Sequence, residues 1–180
     1  VLARMARGHD DRAVRRVAAA ARRVRPRVAL AADLIAGFPG ESEAEHRQTQ
    51  ALIEEVGFAK VHVFPFSPRE GTPAATLPDQ LPPALRKARA QALREDGRRL
   101  RARFLAGQIG RTGEVLVEGS GSGLTTNYIR LATGAAAENA IVRLVIGPDT
   151  VAESAGAGES KPEAAPAGGP PGDGGGGALP

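Results

Sequence analysis

The sequence predicts an α/β fold with a parallel sheet, followed by a small antiparallel β barrel or sheet and a disordered tail. Three observations lead to this prediction. Helix-like and strand-like segments alternate with short connections over residues 12–66, which is typical of βα units. Between residues 110 and 146, short segments alternate apolar and polar residues with a period of two, as antiparallel strands do. From residue 151 onward the chain is mostly Gly, Pro and Ala and cannot bury enough apolar surface to fold.

The first helix is expected over residues 12–25, because apolar residues recur there on one helical face. That face consists of Val14, Val17, Ala18, Ala21 and Val24. A carboxylate at Asp10 or Asp11 can cap the free N–H groups of the first turn. Pro26 ends the helix, because the residue before a proline disfavours helical geometry.

Residues 28–36 form an apolar run that suits a parallel strand buried on both faces. Asp33 is the exception in this run. A buried carboxylate without a partner costs several kcal/mol, so Asp33 must be hydrogen-bonded or lie at the functional end of the strand. A structural role, capping a neighbouring loop, explains Asp33 equally well.

Two loops rich in special residues follow the two predicted strands. The first contains Gly37, Pro39 and Gly40, and a helix from Ser42 to about Val56 follows it, because Ser42 and Glu45 match a capping box. The second, residues 67–73, follows a strand over residues 60–66. Carboxyl ends of parallel strands share one rim of a sheet, where ligands bind. The ordinary alternative is a pair of βα connections without a ligand.

A long helix is predicted over residues 83–107, beginning at Pro82 and Pro83 and weakened at Gly97. Its apolar side is expected to comprise Leu85, Ala88, Ala92, Leu100, Phe104 and Leu105. Eight Lys or Arg residues lie between residues 86 and 103, and nine Arg lie in residues 1–30. Such blocks can contact phosphate backbones, although solvated helix faces explain them equally well.

Residues 107–150 are predicted to form the small β unit, with strands at 110–118, 125–132 and 140–146. Its basic and aromatic side chains can hold single-stranded RNA by charge and stacking. The predicted RNA-binding residues are Arg111, Tyr128, Arg130 and Arg143. A structural cap with scattered surface arginines is the alternative reading. Residues 151–180 are predicted to be a disordered tail without a site.

Several chemical classes find no support in the sequence. The chain of 180 residues has no cysteine, so it can form neither a disulfide nor a cysteine-ligated metal site. Its three histidines lack the spacing of metal ligands. The sequence shows no phosphate-binding glycine motif and no convincing Ser–His–acid catalytic triad. We therefore predict no catalytic residue and no metal ligand. The first residue is Val1, so we expect a C-terminal fragment of a longer, cytoplasmic protein.

Three motifs in order resemble one enzyme family. They are VLARMARGH at residues 1–9, ADLIAGFPGE at 32–41 and VFPFSPREGTPAA at 63–75. Together they are similar to successive motifs of the radical S-adenosylmethionine methylthiotransferases. The forms LIAGFP and HVFPFSPR are most similar to the branch that modifies threonylcarbamoyladenosine in tRNA. The resemblance covers roughly residues 1–150.

The resemblance implies a fold and an activity. Residues 1–106 would be the C-terminal portion of a partial (β/α) radical S-adenosylmethionine barrel, and residues 107–150 would be a TRAM-like RNA-binding β barrel. The family uses S-adenosylmethionine and 4Fe–4S clusters, an electron donor and a tRNA substrate, and it installs a methylthio group. The cluster cysteines would lie before Val1, so the chain by itself is expected to be inactive.

The resemblance also implies cofactor-positioning residues. Asp33, Ile35 and Gly37 would line the adenine side of S-adenosylmethionine, Phe64, Phe66 and Ser67 would contact the adenosyl group, and Glu41 matches a family position. Arg69 and Thr72 match the motif without an assigned role. Three alternatives stay open: a non-catalytic RNA-binding module, a sibling methylthiotransferase acting on isopentenyladenosine-tRNA or a ribosomal protein, and an unrelated α/β enzyme whose 37–41 loop binds phosphate.

Overall fold

A computed structural model describes residues 1–119 and 121–152. The chain forms an α/β unit followed by an antiparallel unit. The elements of the first are α1 (Asp11–Val24), β1 (Ala31–Ala36), α2 (Glu43–Val56), β2 (Lys60–Pro65), α3 (Pro73–Thr76) and α4 (Pro83–Ala106). Those of the second are β3 (Thr112–Glu118), β4 (Ser122–Thr125), β5 (Arg130–Ala132) and β6 (Ile141–Val145).

Local capping signals set the helix boundaries as the sequence predicts. The Asp10 carboxylate accepts a hydrogen bond from the Ala13 N–H at 2.7 Å and so caps α1. Ser42 and Glu45 form both hydrogen bonds of the capping box at the start of α2. Gly57 ends α2 in the left-handed conformation. The predicted helices 12–25 and 42–56 are confirmed to within one residue.

The α/β unit is built on two parallel strands with helices on one face. β1 pairs with β2 from Ala31 opposite Lys60 to Ala36 opposite Pro65. Because successive side chains alternate between the two faces, Leu34 and Val63 lie on the face that α2 and α4 cover. Asp33, His62 and Phe64 lie on the other face and are exposed. The prediction that β1 is buried on both faces is therefore wrong for this chain, and Asp33 carries no burial cost.

Helix α4 runs across β2 at unusually short range. A Cβ atom on Gly97 would lie 2.4 Å from Val61 Cγ2, so only a glycine permits this approach. The buried side of α4 consists of Arg89, Ala90, Leu93, Gly97 and Leu100. The predicted apolar side was only partly right, since Leu85 is exposed and Ala88 is exposed with it. Gly97 is a packing position, not a weak point of the helix.

The antiparallel unit is a four-stranded sheet in the order β5-β4-β3-β6. No closed barrel is present in the described residues, so the predicted TRAM-like barrel is not confirmed. The predicted strand 125–132 is in fact two strands, because a turn at residues 126–129 separates β4 from β5. A hydrogen bond from the Tyr128 N–H to the Thr125 carbonyl closes that turn. The core of the unit comprises Val115, Ile129, Leu131 and Ile146.

Backbone pairing continues slightly past residue 150. Val151 forms a bridge with Leu131 of β5, and the Ala152 N–H donates to the Arg130 carbonyl at 2.9 Å. The rest of the predicted disordered tail, residues 153–180, lies outside the described residues. Among the described helices, none combines the length and the apolar character needed to cross a membrane.

Candidate functional site

The uncovered side of the β1–β2 sheet brings three of the predicted cofactor residues together. Asp33 pairs with His62, and Ile35 pairs with Phe64, so these four side chains share one face. We call this surface the open face. Phe64 is 43% exposed although it is a large apolar residue, and Ile35 beside it is half-buried. The open face thus offers an apolar platform with a carboxylate and an imidazole next to it.

Phe66 and Ser67 continue from the end of β2 onto the carboxyl-end rim. The Phe66 N–H donates to the Ala36 carbonyl at 2.8 Å, so strand pairing extends one residue beyond β2. The Phe66 ring lies edge-on to Phe38, with ring centroids 5.1 Å apart. The Arg86 guanidinium lies 5.9 Å from the Phe66 ring centroid and donates to the Phe66 carbonyl at 2.9 Å. Phe66 therefore anchors the rim to α4, while Ser67 is exposed.

Glu41 ties the first rim loop to α4. Its side chain is 5% exposed, and one carboxylate oxygen accepts from Arg89 Nη1 at 2.9 Å. The other oxygen accepts from the Gly37 N–H at 3.1 Å. Arg89 Nη1 also donates to the Glu41 carbonyl at 2.7 Å. Both carboxylate oxygens have protein partners, so Glu41 stabilises the loop that follows β1. Its predicted contact with the cofactor stays a prediction.

Gly37 is required by the approach of α4. Its φ is +76°, a conformation that side-chain-bearing residues rarely adopt. A Cβ atom there would lie 2.6 Å from Arg86 Cγ and 2.9 Å from Arg86 Cα. The close neighbour of Gly37 in the structure is thus a helix, whereas the sequence suggested a ligand. A ligand on the other side of the loop stays a prediction.

The electrostatics at the start of α2 stabilise the same rim. Glu45 accepts a hydrogen bond from the Ser42 N–H at 2.8 Å and one from Arg4 Nη2 at 3.0 Å. These contacts, the backbone N–H of Ser42 first, lower the pKa of Glu45 to about 2. Arg4 also donates to the Gly40 carbonyl at 2.9 Å. The motif at residues 1–9 thus holds the loop that follows β1.

Two curated proteins share extended similarity with this chain. A stretch of 121 residues, 67% of the chain, is 45% identical to the tRNA-2-methylthio-N(6)-dimethylallyladenosine synthase of Erythrobacter litoralis (strain HTCC2594). A stretch of 129 residues, 72% of the chain, is 42% identical to the threonylcarbamoyladenosine tRNA methylthiotransferase MtaB of Rickettsia prowazekii (strain Madrid E). No protein-family model matches the chain.

The chain is a homologue of the tRNA methylthiotransferases. The resemblance of its three motifs to that family is thereby confirmed. The matched stretches cover 27% of the first relative and 30% of the second. The chain therefore corresponds to less than a third of the length of these methylthiotransferases.

The structure does not bring all four predicted RNA-binding residues of this methylthiotransferase homologue into one site. Arg130 donates to Glu118 at 2.7 Å and is neutralised by that contact. Arg143 lies on the outer face of β6, paired in register with Glu114 of β3. Tyr128 is 75% exposed in the turn between β4 and β5, and Arg111 lies at the start of β3 beside the α/β unit.

Sequence reasoning missed the role of the arginines in α4. Arg86, Arg89 and Arg94 donate to the Phe66, Glu41 and Val63 carbonyls, respectively. The sequence suggested a solvated or RNA-facing surface for them. Their spacing along one side of the helix was the available signal, but the carbonyl partners come from distant strands. His62 was also missed, although period-two alternation places it on the same face as Phe64.

The open face fits an adenosyl group, whereas the chain supplies no iron–sulfur ligands. Ile35 and Phe64 present apolar surface, and Asp33 presents an acceptor beside them. The chain contains no cysteine. Within the described residues, no cluster of three His, Cys, Asp or Glu side chains could hold a metal ion.

Proposed function

We propose that the chain is part of a tRNA methylthiotransferase that adds a methylthio group to N6-threonylcarbamoyladenosine in tRNA. Similarity to two tRNA methylthiotransferases supports the reaction class. The motif forms LIAGFP and HVFPFSPR favour the threonylcarbamoyl branch. A tRNA substrate, an electron donor and a cytoplasmic location belong to the same proposal.

The observation that carries this proposal is the open face. Helices cover one side of the two strands, and the side left exposed holds Asp33, Ile35 and Phe64. A protein exposes a large aromatic ring on a sheet face at a cost, because roughly 25 cal/mol is lost for each Å² of apolar surface left in water. Binding of an apolar ring system there would recover that loss. These three residues are among those that the family resemblance assigns to S-adenosylmethionine.

Each remaining site residue has a positioning task in this proposal. Gly37 and Glu41 set the shape of the loop, Phe66 fixes the end of β2, and Ser67 offers an exposed hydroxyl at the rim. In the family, bound S-adenosylmethionine and 4Fe–4S clusters supply the radical chemistry and the sulfur. This chain has no cysteine, so cluster ligands must come from outside it, and by itself it is expected to be inactive.

A second candidate function has a specific observation behind it. The relative with 45% identity carries a name that specifies dimethylallyladenosine. The proposed substrate carries a carboxylate and a hydroxyl, whereas a dimethylallyl group is apolar. The motif forms LIAGFP and HVFPFSPR resemble the threonylcarbamoyl branch more closely. The sibling reaction therefore ranks second.

Analysis of modified nucleosides tests the proposal. The gene that contains this chain is expressed in a bacterial host deleted for its own tRNA methylthiotransferases, and the digested tRNA is separated by liquid chromatography with mass detection. We expect the methylthio derivative of N6-threonylcarbamoyladenosine. A methylthio group on dimethylallyladenosine alone would establish the sibling reaction instead. Absence of both products, with RNA binding retained, would favour the non-catalytic module.

Two exposed apolar positions provide a matched pair of variants. Phe64 on the open face is 43% exposed, and Leu116 on the outer face of β3 is 48% exposed. Both substitutions, Phe64→Ala and Leu116→Ala, should leave the folded protein intact because neither side chain is buried. We expect Phe64→Ala to lower the methylthiolated fraction at least tenfold and Leu116→Ala to leave it unchanged. Equal effects of the two variants would contradict the role of the open face.

A further inference from the structure

A polar cleft of about 380 Å³ lies between the α/β unit and the antiparallel unit. One wall is the end of α1 and the segment after it, residues 24–28. The other is formed by residues before and at the start of β3, by the end of β4 and the turn after it, and by Ile146. Asn127 joins the walls, because its side chain accepts from the Ala29 N–H at 3.4 Å and donates to the Arg27 carbonyl at 3.1 Å. The cleft is thus a built part of the interface.

The charge of this inter-unit cleft is entirely positive. Arg25, Arg27 and Arg111 line it, and no Asp or Glu is among its lining residues. Within residues 1–119 and 121–152, the side chains of these three arginines form no hydrogen bond or ion pair. The Nη1 atom of Arg111 is shielded from solvent and lacks a hydrogen-bond partner in the same part of the chain. A buried guanidinium nitrogen without a partner is costly, so the cleft is poised to accept an anion.

The neutral lining supports an anion with several acceptor oxygens. Gln108 is only 8% exposed, and Thr112, Thr126 and Asn127 line the cleft around it. Amides and hydroxyls add neutral donors to the guanidinium groups. Guanidinium groups bind phosphate with two parallel hydrogen bonds, and such charge-assisted contacts are the strong ones. The volume of the cleft exceeds that of a single phosphate and suits a nucleotide-sized segment.

An exposed aromatic residue, Tyr128, lies in the turn that borders the cleft. Tyr128 lies between Asn127 and Ile129, both of which line it, and Tyr128 is 75% exposed. Its backbone is fixed, since its φ is +56° and its carbonyl accepts from Arg101 Nη2 at 3.1 Å. An exposed aromatic ring on such a turn can stack a base of a strand whose phosphate lies in the cleft. A free phosphate has no base that could stack on the ring.

We infer that the inter-unit cleft binds a backbone phosphate of the RNA substrate through Arg27 and Arg111, with an adjacent base stacked on Tyr128. The identity of that RNA rests on the proposed function. The physical basis of the site is the uncompensated positive charge, and it is independent of the reaction. Arg130 and Arg143, which face Glu118 and Glu114, are not needed for this contact.

Fluorescence anisotropy with a labelled single-stranded RNA or anticodon-type hairpin tests the inference on the 180-residue chain. Arg27→Gln and Arg111→Gln are compared with Arg98→Gln, which removes the same charge from an exposed position on α4 beside Glu95. We expect each cleft variant to lose about tenfold in affinity and to lower the salt slope by about 1. Arg98→Gln should change affinity less than about twofold, since it removes only an exposed, screened charge.

The possible outcomes test RNA binding by the cleft separately from the proposed methylthiotransferase reaction. Equal losses in Arg27→Gln, Arg111→Gln and Arg98→Gln would overturn the inference, because general charge attraction would then explain binding. Titration with inorganic phosphate at constant ionic strength distinguishes a small anion: saturable phosphate binding that depends on Arg111, with no RNA binding, would also overturn it. Cleft-dependent RNA binding by a protein that yields no methylthio nucleoside would leave the cleft standing and refute the proposed reaction. Arg111→Gln could weaken binding by disturbing the fold, whereas Arg27 is exposed and Arg27→Gln should leave the fold intact.

Discussion

Replacing Gly97 by alanine tests how closely α4 approaches β2. The added Cβ would lie 2.4 Å from Val61 Cγ2 and 3.8 Å from Val61 Cβ. Carbon atoms in van der Waals contact are separated by about 3.5–4.0 Å, so the first distance is too short by about 1 Å. Val61 can give way only by leaving its preferred rotamer, since β-branched side chains are stiff. The helix or the strand must therefore shift.

The effect of Gly97→Ala on the free energy of unfolding is the difference between helix propensity and overpacking. Alanine in a helix interior is favoured over glycine by about 1 kcal/mol. Overpacking of a well-packed core costs up to about 3 kcal/mol. We therefore expect Gly97→Ala to lower the free energy of unfolding by about 2 kcal/mol. Urea-induced unfolding followed by far-ultraviolet circular dichroism measures this change through the midpoint and slope.

Two companion variants isolate the contact. Ala102→Gly lies at an exposed position on the same helix and should cost about 1 kcal/mol, which measures the propensity term alone. Combining Gly97→Ala with Val61→Ala removes the clashing methyl, so the double variant should be more stable than the sum of the single effects predicts, by about 1–3 kcal/mol. A Gly97→Ala protein stabilised by about 1 kcal/mol would refute the close approach, because propensity alone would then operate.

Other predictions concern the rim and the open face. Arg89→Met leaves the Glu41 carboxylate buried without its charge partner and should cost about 3–5 kcal/mol in urea unfolding, whereas adding Glu41→Gln should recover part of this loss. Because the folded-state pKa of Glu45 is lowered to about 2, its stabilisation is present above pH 4.5 and is lost as the pH falls toward 2. The urea midpoint of Glu45→Gln should therefore vary less with pH in this window than that of the parent chain, and parallel profiles would contradict the assignment. Phe64→Ala should lower the unfolding free energy by about 1 kcal/mol, because the ring is 43% exposed and only its covered area is lost.

Several elements were predictable from the sequence because their signals act within one turn. The Asp10 cap, the capping box at Ser42 and Glu45, and the left-handed Gly57 all depend on residues a few positions apart. The alternation in β2 likewise placed Phe64 on the face opposite Val63. Local geometry also accounts for the shared face of Asp33 and Ile35, two residues apart in β1.

Contacts between residues far apart in the chain determine the arginine contacts and the buried side of α4. Nothing near Arg89 or Arg86 in the chain shows that their guanidinium groups end on carbonyls of Glu41 and Phe66, more than fifteen residues away. The buried side of α4 depends on where β2 lies, so the sequence alone predicts a weak point at Gly97 and not a close contact. These features arise when separate elements come together, and composition alone does not encode their distances.

The sequence by itself determined the order of α1, β1, α2, β2 and α4, the caps of α1 and α2, and the family motifs, since periodicity and capping are local properties of the chain. Tertiary structure decided that the β1–β2 sheet is covered on one side only, that four strands form an open sheet in the order β5-β4-β3-β6, and that Arg111 shares a cleft with residues 24–28. The physical reason is the same in each case. Burial, ion pairing and close approach depend on which distant surfaces meet, and only the folded chain brings those surfaces together.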